Sequence, residues 1–116
     1  MSRDPAYLLD MLLSARDARR FAAGLSFEQL QDSDLHQHAI AKAVELVGEA
    51  AARLSPEAQA RHAQIPWTQI IGMRHRLVHD YVHLDLRILW EVVHKHLPPL
   101  IVYLETMVPA EDTRSE

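Results

Sequence analysis

At 116 residues the chain has room for one domain with its own core, and not for a second independent unit. It holds no cysteine, which excludes disulfides, thiolate catalysis and cysteine-ligated zinc, and a net charge of -4 argues against an indiscriminate grip on nucleic-acid backbone. Hydrophobic residues make up 48% of the chain with only three glycines, a balance that favours packed helices over sheets with tight turns.

Asp4-Pro5 predicts a helix start, with a side-chain acceptor for orphan amides followed by a residue whose missing N–H is harmless at the first helical position. This helix should run to about Ala23 and bury the stripe Leu8, Met11, Leu12, Ala15, Ala18 and Ala22, leaving Arg16, Arg19 and Arg20 on a solvated face. Gly24 ends it, and Ser26 with Gln29 has the spacing of a capping box for a short helical turn. A second main helix is expected from Asp34 to Leu54 with the stripe Leu35, Ala39, Ala43, Leu46, Ala50 and Leu54. Ser55-Pro56-Glu57 repeats the cap-then-proline signal for a brief helix through Arg61 or His62, and Ile65-Pro66 resets the chain.

From Pro66 the positions Trp67, Ile70, Ile71, Leu77 and Val78 predict a third main helix ending near Tyr81. Asp85 is placed to cap a fourth, with Leu86, Leu89, Trp90, Val93, Leu97, Leu100, Ile101 and Leu104 as its apolar stripe. Pro98-Pro99 must bend that helix strongly or split it, the second piece running from Leu97 to near Met107. The expected architecture is an all-α antiparallel four-helix bundle with short extra helices, occupying residues 1–107, followed by a flexible tail over 108–116. No apolar run approaches the roughly 18 residues of a membrane span and no signal peptide is evident, so a cytoplasmic protein without membrane contact is expected.

The third helix carries an unusual density of polar chemistry in "IIGMRHRLVHDY", Ile70 to Tyr81. At about 100° per residue Arg74 and Tyr81 point nearly the same way, while His79 joins His75 and His83 on a neighbouring stripe. One straight helix therefore does not aim Arg74 and His79 at one atom. Either the helix unwinds at His79, or a second copy brings its own pair across a two-fold axis and builds a composite site in a homodimer. Trp67, Trp90 and the apolar fourth helix supply surface in excess of the needs of a small bundle, which favours the dimer.

A histidine near neutral pKa shuttles protons, and an arginine clamps a phosphate and stabilises charge building on it. Together they suit cleavage of RNA, whose own 2'-hydroxyl can attack without an obligatory metal. Two other readings compete. Arg74 could pair with Glu45 or Glu49 while His79 caps a helix end and Tyr81 packs, or His75, His79 and His83 could ligate a metal along one helix face. The metal reading is weak because His83 falls past the expected helix end and no carboxylate shares the stripe convincingly. His94 and His96 face different ways and read as solvent-exposed.

Arg74, His79 and Tyr81 match the R-x4-H-x-Y motif of the HepT-like toxins, a branch of the HEPN ribonuclease superfamily, and the chain resembles that family well beyond the motif. "AVELVGEAAARLS", "IPWTQIIGMRHRLVHDY" and "LDLRILWEVVHKHLPPL" fall in the family's order and spacing. The resemblance implies a HEPN-like homodimer with a cleft at the two-fold axis, acting as a metal-independent endoribonuclease on RNA, including tRNA, with Arg74 and His79 catalytic and no cofactor. It implies a toxin-antitoxin pairing with an MNT-type nucleotidyltransferase that inactivates the toxin by transferring AMP to Tyr81, where added bulk and negative charge oppose an RNA phosphate. His75 stands where many relatives have Asn and Val82 where many have Phe, so His75 and the neighbouring Arg76 are auxiliary candidates. The rival reading is a non-catalytic helical dimer that binds a nucleotidyltransferase or nucleotides.

Overall fold

The computed structural model describes residues 2–77 and 84–109, with Arg74 described for its backbone only. The described residues are helical and contain no strand, and none of their helices is long and apolar enough to cross a membrane. The order is α1 (Asp4–Ala22), α2 (Phe27–Gln31), α3 (Asp34–Arg53), α4 (Pro56–Arg61), α5 (Trp67–Ile71), α6 (Met73–Leu77) and α7 (Leu86–Glu91), then a π-helical turn (Val92–His96) leading into α8 (Leu97–Glu105). Four rods result: α1, α3, α5 with α6, and α7 continued through the π turn into α8. This is the all-α bundle expected from the sequence.

α1 buries the face its spacing predicts, with Leu8, Met11, Leu12, Ala15, Ala18 and Ala22 all inside. Fully enclosed side chains such as Met11 and Leu12 each contribute about 1.5–3 kcal/mol of transfer free energy. Its alanines let α3 lie close along it, running antiparallel. The expected cap is corrected: Asp4 is the first helical residue and its carboxylate does not close its own helix. One carboxylate oxygen accepts from the Ser55 N–H at 2.9 Å and the other from the Ser55 hydroxyl at 2.6 Å, joining the start of α1 to the end of α3. These bonds hold the Asp4 carboxyl below its ordinary value of 3.8.

Gly24 has φ +74, the left-handed turn that lets the chain leave α1. Ser26 and Gln29 form the reciprocal capping box expected of them. Ser33, one residue before the predicted start, caps α3 through the His36 N–H at 3.2 Å.

The stripe predicted for α3 holds at Ala43, Ala50 and Leu54 and fails at its leucines Leu35 and Leu46. Leu35 is 76% exposed and Leu46 38% exposed, whereas Ile40, Val44, Val47 and Ala51 are buried beside Ala43 and Ala50. Two apolar stripes overlap on this helix. The one richer in β-branched side chains faces α1 and the motif rod, because only there do neighbouring rods cover it.

Ser55 caps α4 at the Ala58 N–H, as its sequence signal predicts. Trp67 is buried, and its indole N–H donates to the carbonyls of Gln59 and His62, each at 3.0 Å. Its surface is thus consumed within the chain, tying the end of α4 to the start of α5.

The single third helix expected from Pro66 to Tyr81 is broken at Gly72 (φ -84, ψ -2), which separates α5 from α6, because glycine lacks the propensity to hold helical ψ where neighbours do not enforce it. Its predicted continuation from Val78 to Tyr81 lies outside the described residues.

Asp85 caps α7 as predicted, accepting from the Ile88 N–H at 3.0 Å. The proline pair is absorbed by the π turn, in which the Leu97 N–H reaches back to the Val92 carbonyl. α8 then begins with Pro98 and Pro99 in its first turn, where absent donors are least missed. Val108, assigned by its sequence to the tail, is buried and its N–H bonds to the Leu104 carbonyl at 3.1 Å.

Candidate functional site

The motif rod sits where it does because α3 carries a glycine opposite it. A Cβ at Gly48 would stand 3.0 Å from the Ile70 carbonyl oxygen and 3.6 Å from that of Ile71, so the backbone of α5 rests on α3 closer than a side chain at 48 would comfortably allow. Beyond Gly72, α6 turns Met73 and Leu77 into the core and leaves His75 and Arg76 exposed. The backbone of Arg74 lies on α6 between these two faces.

Leu77 ends α6, and its carbonyl accepts from the N–H of Asp85, so the chain that leaves α6 returns to the same point to begin α7. The motif residues His79 and Tyr81, the departing position Val82, and His83 lie outside the described residues, as does the side chain of Arg74. The expected convergence of Arg74 with His79, the pairing of Arg74 with Glu45 or Glu49, and the unwinding at His79 all fall there.

Beside α6 opens a cleft of about 290 Å³ between the motif rod and α8. Its floor is apolar, from Ile70, Met73, Leu97 and Leu100, and its rim carries Gln69, Arg76, His96 and Tyr103. The Tyr103 hydroxyl donates to the Gln64 side-chain oxygen at 2.8 Å, fixing one wall. His96 lies 3.4 Å from the Glu91 carboxylate, an exposed pair in which the imidazole is charged only when protonated. Of the two auxiliary candidates, Arg76 lines this cleft, and His75 is not among its lining residues.

Gln69, His96 and Tyr103 received no role from sequence, since three separate elements bring them to one rim. Gly48 had a legible signal, a lone glycine inside a strongly helical block, whose meaning needed the packing partner.

Of the α1 arginines expected on a solvated face, Arg20 is exposed, while Arg16 and Arg19 are half-buried. Arg16 pairs with Glu105 of α8 at 2.7 Å, Arg20 with Asp17 at 2.9 Å, and Arg19 donates to the Val93 carbonyl at 3.3 Å. His94 is exposed as expected, yet its ring packs against Trp90 with centroids 4.0 Å apart and the planes tilted by 50°. Partial burial and the nearby Arg19 guanidinium hold His94 below the usual histidine range. Among the described residues no three His, Asp or Glu side chains gather as a metal site; His79 and His83, two of the three ligands weighed from sequence, lie outside them.

A family model described as Ribonuclease HepT-like matches residues 11–107. A protein of Caldanaerobacter subterraneus subsp. tengcongensis named "Putative RNase" is 36% identical over 77 residues, 66% of this chain and 69% of the relative. A second "Putative RNase", from Methanocaldococcus jannaschii, is 27% identical over 95 residues, 82% of this chain and 87% of the relative. "Probable ribonuclease HepT" of Thermococcus cleftensis is 31% identical over 94 residues, 81% of this chain and 86% of the relative. No solved structure matches significantly. With a match over most of its length and an all-α bundle carrying the motif rod, the chain belongs to the HepT-like ribonuclease family.

Proposed function

We propose that the protein is the toxin of a HepT/MNT-type toxin-antitoxin system, a metal-independent endoribonuclease whose substrate is RNA, tRNA foremost. The observation that carries this reading is the R-x4-H-x-Y motif in a HepT-like chain, its arginine on α6, which follows the helix seated against α3 at Gly48 and lies at the edge of a cleft. His79 takes the proton from a ribose 2'-hydroxyl, whose oxygen forms a bond to the adjacent phosphorus as the bond to the 5'-oxygen breaks. Arg74 neutralises the charge that builds on the phosphoryl oxygens. The departing 5'-oxygen takes a proton from water, so the products carry a 2',3'-cyclic phosphate and a free 5'-hydroxyl, and no metal enters the balance. A homodimer supplies the second arginine and histidine across its two-fold axis. Transfer of AMP to Tyr81 by the nucleotidyltransferase antitoxin places a phosphate where the substrate's would sit and so silences the site.

Purified protein is assayed on tRNA in the presence of EDTA, beside Arg74→Ala and His79→Ala. Cleavage by the wild type and a loss of roughly a hundredfold or more in each variant are expected. Equal fragments from all three would expose a contaminant, and no cleavage by the wild type would favour the non-catalytic binding module. Incubation with an MNT-type nucleotidyltransferase and labelled ATP should label the wild type and not Tyr81→Phe.

A further inference from the structure

On the side of the bundle where α2 meets α7, five side chains from α1, α2, α7 and the π turn form a ladder of rings closed by a cation at each end. The Arg87 guanidinium lies 4.1 Å from the centroid of Phe27, Phe27 meets Trp90 edge to face at 5.6 Å, Trp90 and His94 pack at 4.0 Å with their planes tilted by 50°, and Arg19 approaches the His94 Nδ1 at 3.3 Å. An open groove of about 340 Å³ runs beside the ladder, with Arg87, Trp90, His94 and Lys95 on its walls. The carboxylate lining it, Glu91, is turned toward His96. Lys95 and Arg87 form no ion pair among the described residues, and both are exposed. In a chain of net charge -4 this is a local reversal of sign combined with aromatic faces.

That combination is the one that holds single-stranded nucleic acid: cations track the phosphates while bases stack on the rings, with little dependence on sequence. Partial burial, and then the Arg19 guanidinium that donates to Nδ1, hold the His94 imidazole below its ordinary value, which favours the uncharged ring beside its cationic neighbours. The groove lies on the rod that begins at Leu86, immediately after the segment bearing His79 and Tyr81. The groove thus follows the motif segment directly in the chain. An acidic protein partner would use the same cations and would leave the stacked rings without a role.

We infer that the groove lined by Arg87, Trp90, His94 and Lys95 binds a single-stranded stretch of RNA flanking the cleavage position. The inference rests on the ribonuclease reading for the identity of its ligand as substrate, and the test separates the two. The probe is a fluorescein-labelled 12-nucleotide RNA, fully 2'-O-methylated so that it cannot be cut, titrated with the full-length chain in a fluorescence anisotropy assay at several salt concentrations. Arg87→Ala with Lys95→Ala, both at exposed positions, should weaken binding about tenfold or more and reduce the salt slope by about 2. Trp90→Leu, which keeps an apolar side chain against Phe27, should weaken it at least about fivefold by removing a stacking face.

Affinity equal to wild type in both variants, or no binding by the wild type, overturns the inference. So does unchanged RNA binding with loss of self-association in sedimentation, which would make the groove a protein interface. Binding of the methylated RNA, with the variants weakened, alongside failure to cut unmethylated tRNA would uphold the groove and sink the ribonuclease reading instead.

Discussion

Replacing Gly48 with alanine isolates the contact that seats the motif rod. In an ordinary helix interior the change is stabilising by roughly 0.5–1 kcal/mol, because alanine has the better propensity and loses less backbone freedom on folding. Here the new Cβ would stand 3.0 Å from the Ile70 carbonyl oxygen, and that neighbour is backbone, which has no rotamer to change. α5 must retreat by a few tenths of an ångström, loosening contacts in a core packed by Ile70, Met73 and Val47. Overpacking of this kind costs about 1–3 kcal/mol, so the loss exceeds the propensity gain and a net destabilisation of about 1 kcal/mol is expected. For a domain of this size that lowers Tm by about 4 °C. The assay is thermal unfolding followed by circular dichroism, with Ala52→Gly, at an exposed position of the same helix, as the measure of propensity alone. Because the displaced backbone leads directly into α6, RNA cleavage should fall by more than the fraction unfolded at the assay temperature explains. A raised Tm for Gly48→Ala, with activity intact, would refute the close-approach account.

Ser55→Ala removes the cap of α4 and the hydroxyl bond to Asp4 while leaving the backbone N–H bond, and the cap alone is worth about 1 kcal/mol, so a lowered urea midpoint is expected; an unchanged midpoint would deny the clasp its role. His94 has a folded pKa below the unfolded value of 6.5, so the unfolded chain takes up its proton first on acidification. Its contribution is therefore full above pH 6.5 and is lost as pH falls through the folded pKa, and His94→Gln should flatten that limb of the stability–pH curve relative to wild type. Arg16→Ala breaks an ion pair whose side chains remain 37% and 46% exposed, and the midpoint should move by no more than about 1 kcal/mol equivalent, less at high salt.

How far the sequence reaches differs from element to element for a physical reason. Ser26 with Gln29, Ser55 before Pro56, and Asp85 three residues ahead of the Ile88 N–H are caps, and a cap is a bond between residues two or three apart; its partners are adjacent in the chain and legible there. The α1 stripe was legible as well, since its polar face is unambiguous. α3 was not: two apolar stripes overlap on one helix, and only the positions of α1 and α5 decide that Val44 and Val47 go inward while Leu35 and Leu46 face solvent. Asp4 likewise looked like a local cap and found its partner 51 residues away in Ser55.

By itself, then, the chain's order of residues determined an all-α bundle, most helix ends, and a family whose motif begins at Arg74, because helical period and motif spacing are short-range properties. Tertiary structure alone decided that Gly48 lets α5 lie close on α3, that Trp67 is spent on the Gln59 and His62 carbonyls, that Arg76 rims a cleft with Tyr103, and that Arg87, Phe27, Trp90, His94 and Arg19 form one ladder. Each of these is a meeting between residues far apart along the chain. Such meetings are fixed by which rods pack together and at what distance, which no local pattern contains.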